Sequence, residues 1–262
     1  MAMSLAFHII FAVVGMAMPL LMVLAERLHL KTGDPLLREL AIRWSRGTAI
    51  MFAVGAVSGT VLSFELGLLW PGFMALAGPI IGMPFSLEGF AFFLEAIFLG
   101  VYLYGWDRVS PRAHLFAGVM VLVSGTASAL FVLTANAWMN TPTGYTLDER
   151  GKLLTVEPWA AMWNAAAASE ILHMTCAAFA AVGFAVAGIH AAMLLRGARR
   201  ELHRPALRIA LADRSDATHR AETAHALGEV GEIRFRTQAR QDQLQVRPPA
   251  AGTGLGRKGV AG

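Results

Sequence analysis

Five long apolar stretches, residues 4–25, 48–70, 87–105, 114–139 and 167–195, constrain this 262-residue chain more than any other feature. A helix needs about 20 such residues to cross the hydrocarbon core of a bilayer. Charged residues make up only 15% of the chain and the mean hydropathy is +0.53, against about 25% charged in a soluble domain. The expected fold is therefore all-α: a polytopic transmembrane helix bundle of about five spans. The first stretch has neither a basic leading region nor a small-x-small cleavage site, so it reads as a retained helix and not a removed signal. The single cysteine, Cys176, excludes an internal disulfide. It lies inside the fifth stretch and reads as a small buried hydrophobe.

Positive charge orients the spans. The loop expected at 26–47 carries Arg27, Lys31, Arg38, Arg43 and Arg46. The segment 71–86 carries no Lys or Arg, whereas 107–113 carries Arg108 and Arg112. Arg150 and Lys152 lie in 140–166, and Arg196, Arg199, Arg200, Arg204 and Arg208 follow the fifth span. The positive-inside rule puts 26–47, 107–113 and the segment after the fifth span in the cytoplasm. The N-terminus, 71–86 and 140–166 then face outward, with 71–86 expected as an apolar, Gly- and Pro-rich loop before a third span starting near Ser86. The net charge of +4 is modest and its basic residues flank spans or lie in the tail, so nucleic-acid binding is not indicated.

Small residues recur at the spacing of close helix contact, as at Gly55 and Gly59, and at Gly125 with Ser124 and Ser128. This is a packing signal. The chain divides into a membrane region, 1–211, and an Arg/Gln/Gly/Pro-rich tail, 212–262, with no apolar run able to span or build a core. Such a tail is expected to be disordered. It reads either as a natural cytoplasmic extension or as an out-of-frame translation replacing a longer membrane region.

Between Arg46 and Asp107 every charged residue is acidic: Glu65, Glu88 and Glu95. An ionised carboxylate within a bilayer is costly, and its default reading is functional. Glu88 and Glu95 are seven apart, on one helical face and about 10.5 Å apart along the axis. Two stacked carboxylates suit a proton path or the pocket of a metal centre; the bland reading is hydrogen bonding between helices. His8 lies near the outer end of the first span, Glu88 near that of the third, and His173 one to two turns into the fifth. The three share an outer depth. Neutral imidazole is the commonest protein metal ligand, and haem iron takes axial His. A lone intramembrane His is as often a hydrogen-bonded packing residue, but two at one depth beside a buried Glu favour a cofactor. Glu170 shares a helical face with His173. His29, His114 and His190 are expected at cytoplasmic helix ends, and His203 shows no pattern. No phosphate-binding glycine loop, CxxC pair or Ser/His/Asp arrangement is present.

The segment Ser86–Arg108, SLEGFAFFLEAIFLGVYLYGWDR, resembles the third span of subunit I of cytochrome bd-type quinol oxidases. FHIIF at Phe7–Phe11, SFELGLLW at Ser63–Trp70 and ANAWMNTPTGY at Ala135–Tyr145 resemble other parts of that family. The resemblance covers about residues 1–211. It implies that His8 is an axial ligand in the high-spin haem pair, of the b595 and d type, and that His173 is an axial ligand of the low-spin haem b558. It further implies that Glu88 is the acidic residue at the oxygen-reducing haem and that Glu95 serves haem and proton delivery. The implied cofactors are haem b of both types and haem d. The implied partners are subunit II, quinol, oxygen and membrane lipids, in a bacterial inner membrane with the N-terminus outside.

The family continues with further spans, a quinol-binding GRQPW-type loop, a Met completing the b558 site and a Glu for the other high-spin haem. The resemblance ends near Leu211, which favours the out-of-frame reading of the tail, and by this reading the chain alone does not turn over. His8 stands close to Met1, where the family has a further turn or two, which points to a start upstream. The rival expectation is a non-catalytic membrane partner, or a proton-conducting subunit that uses Glu88 and Glu95 without haem.

Overall fold

A computed structural model describes residues 1–212. The expectation of disorder in the tail lies outside the described residues. Five helices are long and apolar enough to cross a membrane: α1 (Ala2–Thr32), α2 (Pro35–Leu69), α3 (Pro71–Tyr104), α4 (Pro111–Asn140) and, after a short excursion, α6 (Ala167–Leu195). The excursion holds strands β1 (Tyr145–Leu147) and β2 (Leu153–Val156) and the short helix α5 (Pro158–Met162); α7 (Arg200–Ala212) follows α6. The sequence punctuates these helices openly. Proline occupies the start of α2, α3, α4 and α5, where its missing N–H has no intrahelical partner to lose. Asp34 caps α2 by accepting from the Leu36 amide (2.9 Å). The expected loop at 26–47 is instead helix except for Gly33 and Asp34, because α1 and α2 continue beyond their apolar stretches; Gly33 takes the left-handed conformation (φ 72°) that closes α1.

The expected outer loop at 71–86 is instead helix. α3 runs unbroken from Pro71 through Pro79 and Pro84 to Tyr104. The physical reason lies in its packing. Ala77, Ile80 and Ile81 bury against Ala135 and Trp138 of α4 and Ala161 of α5, with Phe73, Met74, Phe85 and the hairpin residues Tyr145, Leu153 and Val156 alongside. A segment buried on that scale must satisfy its own backbone, and a helix does so internally.

The β1–β2 hairpin is antiparallel, pairing Tyr145 with Val156 and Thr146 with Thr155, and carries a bulge beside Leu147. It is latched to the bundle: Trp138 Nε1 donates to the Thr143 carbonyl (3.0 Å), and the Glu157 amide donates to the Gly144 carbonyl (2.8 Å). Gly144 has φ 76°, and a Cβ there would stand 2.5 Å from the Ala161 amide nitrogen, so α5 can approach only a glycine.

At the opposite end, Met18, Leu21, Met22, Leu40, Trp44, Tyr102, Val182 and Val186 form the second core. α7 joins it through Leu202, Ala206, Leu207, Ile209 and Ala210. Cys176 is exposed on α6, contrary to the burial expected of it. The apolar spans present much of their surface outward: Val57, Val61, Phe64 and Leu68 on α2, and Phe90, Phe93 and Ile97 on α3, are all exposed. Apolar exposure on that scale suits lipid or protein neighbours, not water.

Candidate functional site in the membrane interior

Glu95 is buried on α3, and its carboxylate lies against Gly125 of α4. A Cβ at Gly125 would stand 3.0 Å from the carboxyl carbon, so the glycine makes the space the acid occupies. No hydrogen bond or ion pair to Glu95 is formed among the described residues. Glu88 is half-buried two turns away and accepts a long hydrogen bond from Ser128 Oγ (3.4 Å). Gly125 and Ser128 are one turn apart on α4, about 4.5 Å of rise, whereas the two acids are about 10.5 Å apart along α3. Both acids therefore face one stretch of α4.

His8 packs on α2. Its Nδ1 lies 2.9 Å from Ser58 Oγ, and its ring rests on Gly59. One turn toward the start of α1, Ser4 Oγ donates to Glu65 Oε1 (2.8 Å). The α1–α2 seam thus carries polar rungs at Ser4–Glu65 and His8–Ser58. Between α1 and α3, the Tyr102 hydroxyl meets the Met22 carbonyl at 3.5 Å. His8 precedes Met22 and Glu88 precedes Tyr102 by the same number of residues, about 21 Å of helix rise in each case. Glu88 is mid-helix in α3, because that helix begins at Pro71, and not near the helix end as expected. His173 lies on α6, exposed, and the structure does not bring it to the Glu88–Glu95 patch or to His8 through any hydrogen bond.

Two polar clusters near the other end escaped the reading of the sequence. His114 Nδ1 lies 2.8 Å from Glu26 Oε1, and His114 Nε2 lies 2.9 Å from the Tyr102 carbonyl. Both Glu26 and His114 are almost fully buried. Trp106 covers the imidazole at 4.1 Å between centroids, and Arg38 sits over Trp106 while pairing with both Asp107 oxygens at 2.8 Å. In the second cluster, Trp44 Nε1 donates to His190 Nε2 (3.2 Å) and His190 Nδ1 lies 2.8 Å from His203 Nδ1. His114 and His190 lie near helix ends as expected, but they are buried and bonded there. Glu26 gave one signal in sequence: it directly follows an apolar run with Arg27 behind it.

Ligand chemistry narrows what the imidazoles can hold. Among the described residues no group of three His, Cys, Asp or Glu side chains could hold a metal ion. A bare ion such as zinc takes three or four protein ligands. Isolated imidazoles fit a prosthetic group whose macrocycle supplies the other ligands and asks the protein only for an axial nitrogen.

The fold and its buried groups define a polytopic helical membrane protein with carboxylates and imidazoles inside its spans. The family profile for cytochrome bd terminal oxidase subunit I matches residues 1–214, and the chain belongs to that family. It is 37% identical over 212 residues to a Bacillus subtilis (strain 168) chain provisionally assigned as a cytochrome bd menaquinol oxidase subunit I, covering 79% of this chain and 48% of that one. It is 28% identical over 203 residues to subunit 1 of the cytochrome bd-II ubiquinol oxidase of Escherichia coli (strain K12), covering 77% of this chain and 40% of that one. The solved bd oxidase of Geobacillus thermodenitrificans superposes with a TM-score of 0.77 at 41% identity, covering 80% of this chain and 49% of that one. The chain spans about half the length of the curated relatives it matches.

Proposed function

We propose that this chain is the haem-bearing region of a cytochrome bd-type quinol oxidase subunit I, acting in the transfer of electrons from quinol to oxygen in a bacterial inner membrane. The observation that carries the reading is an imidazole, His8, and a carboxylate, Glu88, each about 21 Å of helix rise from the contact between Met22 and Tyr102, in a chain of that family. His8 and His173 would hold haem, His8 in the high-spin pair of b595 and d type and His173 at the low-spin b558 haem. Haem, when bound, supplies one-electron chemistry at iron. Glu88 and Glu95 hold protons next to it. Glu95 is suited to that work because it is buried with no fixed partner among the described residues, so a proton can reside on it or leave without breaking an ion pair. The outward location of the N-terminus follows from the basic residues at 26–47, 107–113 and after α6. The exposed apolar faces of α2 and α3 suit membrane lipids and a second subunit.

The test is a reduced-minus-oxidised absorption spectrum of the purified chain with haem supplied during expression and subunit II co-expressed. A b-type signal lost in His173→Ala or His8→Ala is the expected result. A colourless preparation would favour a haem-free, proton-conducting subunit instead.

A further inference from the structure

The small-residue spacing at Gly55 and Gly59 looks like helix packing and no more, but Ser58 lies between them and faces His8. Ser58 Oγ donates to the Gly55 carbonyl (3.0 Å) and lies 2.9 Å from His8 Nδ1. A hydroxyl has one proton to give. On the same helix Thr60 and Ser63 direct their hydroxyls to the carbonyls of Ala56 (2.9 Å) and Gly59 (3.1 Å), the usual back-bond of a helical hydroxyl. With the Ser58 proton on Gly55, Ser58 can only accept from His8. The Gly55 backbone is also a hydrogen-bond partner of the His8 ring, and its carbonyl can only accept, so Ser58 and Gly55 together call for the ring proton on Nδ1 and leave the Nε2 lone pair free. Gly59 holds the ring in that pose: a Cβ there would stand 3.0 Å from Cε1, 3.6 Å from Nδ1 and 3.7 Å from Nε2. Gly55 in turn lets α1 come close, its missing Cβ lying 3.6 Å from that of Phe11.

We infer that Ser58, with Gly59 beneath the ring, is a positioning residue that fixes His8 as the Nδ1–H tautomer and so makes Nε2 the atom presented to iron. The inference rests on the proposed ligand role of His8. The hydrogen bond made by one ring nitrogen decides which nitrogen is free to bind metal and how the ring is turned.

The experiment uses the full chain in lipid bilayers, labelled with nitrogen-15 at histidine and read by solid-state NMR before haem is added. His8→Gln identifies the His8 signals. The wild-type chain should show His8 as a single Nδ1–H tautomer. Ser58→Ala should lose that single population, Ser58→Thr should restore it, and Gly59→Ala should disturb it by displacing the ring. An Nε2–H tautomer in the wild type, or an Nδ1–H tautomer unchanged in Ser58→Ala, overturns the inference. The same variants are then loaded with haem together with subunit II and examined by resonance Raman. A His8-dependent iron–histidine stretch that shifts in Ser58→Ala and returns in Ser58→Thr supports it. A haem spectrum unaltered by His8→Ala overturns the ligand reading itself, and with it any role of Ser58 toward iron. Loss of signal in His8→Ala with no change in Ser58→Ala overturns the positioning role alone.

Discussion

Glu95 on α3 and Gly125 on α4 form a matched pair: the carboxylate fills the space left by the absent side chain, within 3.0–3.1 Å of where a Cβ would stand. The pair joins two of the most extensively packed helices in the bundle. It also sets where the acid sits relative to Glu88. Gly125→Ala should therefore push the Glu95 carboxylate off α4 or force α3 and α4 apart. Overpacking of this kind costs about 1–3 kcal/mol. Thermal unfolding in detergent should show the loss, and Glu95→Ala in the same background should recover part of it by removing the clash. Additive effects of the two substitutions would show that the pair is not in contact.

His114 and Glu26 make a buried pair that tolerates loss of one member poorly. Removing one partner of a buried hydrogen bond leaves the other group unsatisfied at a cost of about 1–3 kcal/mol. His114→Ala should destabilise their end of the bundle on that scale. The double variant Glu26→Leu with His114→Ala should be less harmful than His114→Ala alone, since no carboxylate is then stranded. Monodispersity on size-exclusion chromatography and melting temperature both report it. A double variant worse than either single one would contradict the pairing.

The His190–His203 contact ties α7 to α6. His203→Ala removes one hydrogen bond worth about 0.5–1.5 kcal/mol, and α7 should keep its apolar anchors. Leu207→Ala removes a buried side chain at a cost of about 2–5 kcal/mol and should loosen α7 more. Limited proteolysis across the turn at Arg196–Arg199 gives the ranking: wild type slowest, His203→Ala faster, Leu207→Ala fastest.

Much of the architecture was legible because the signals are local. Apolar length marks each span without reference to any other. The acids Glu88 and Glu95 stood out because nothing basic accompanies them. The third helix was under-read at its N-terminal end. Glycine and proline at Gly72, Gly78, Pro79 and Pro84 argue for a loop by local propensity, and burial against Trp138 and Ala161 overrides that preference. Ser58 was passed over because its neighbours Gly55 and Gly59 read as packing, and its partner lies fifty residues away on another helix.

By itself, then, the sequence determined the five spans, the acids within them and the family likeness, since hydropathy and motif are properties of contiguous residues. Tertiary structure alone decided which faces meet. It brought Glu95 to Gly125, His8 to Ser58, Glu26 to His114 and His190 to Trp44 and His203. Such pairings depend on how each helix is rotated about its axis and on how it crosses its neighbour, and side-chain packing between helices sets both.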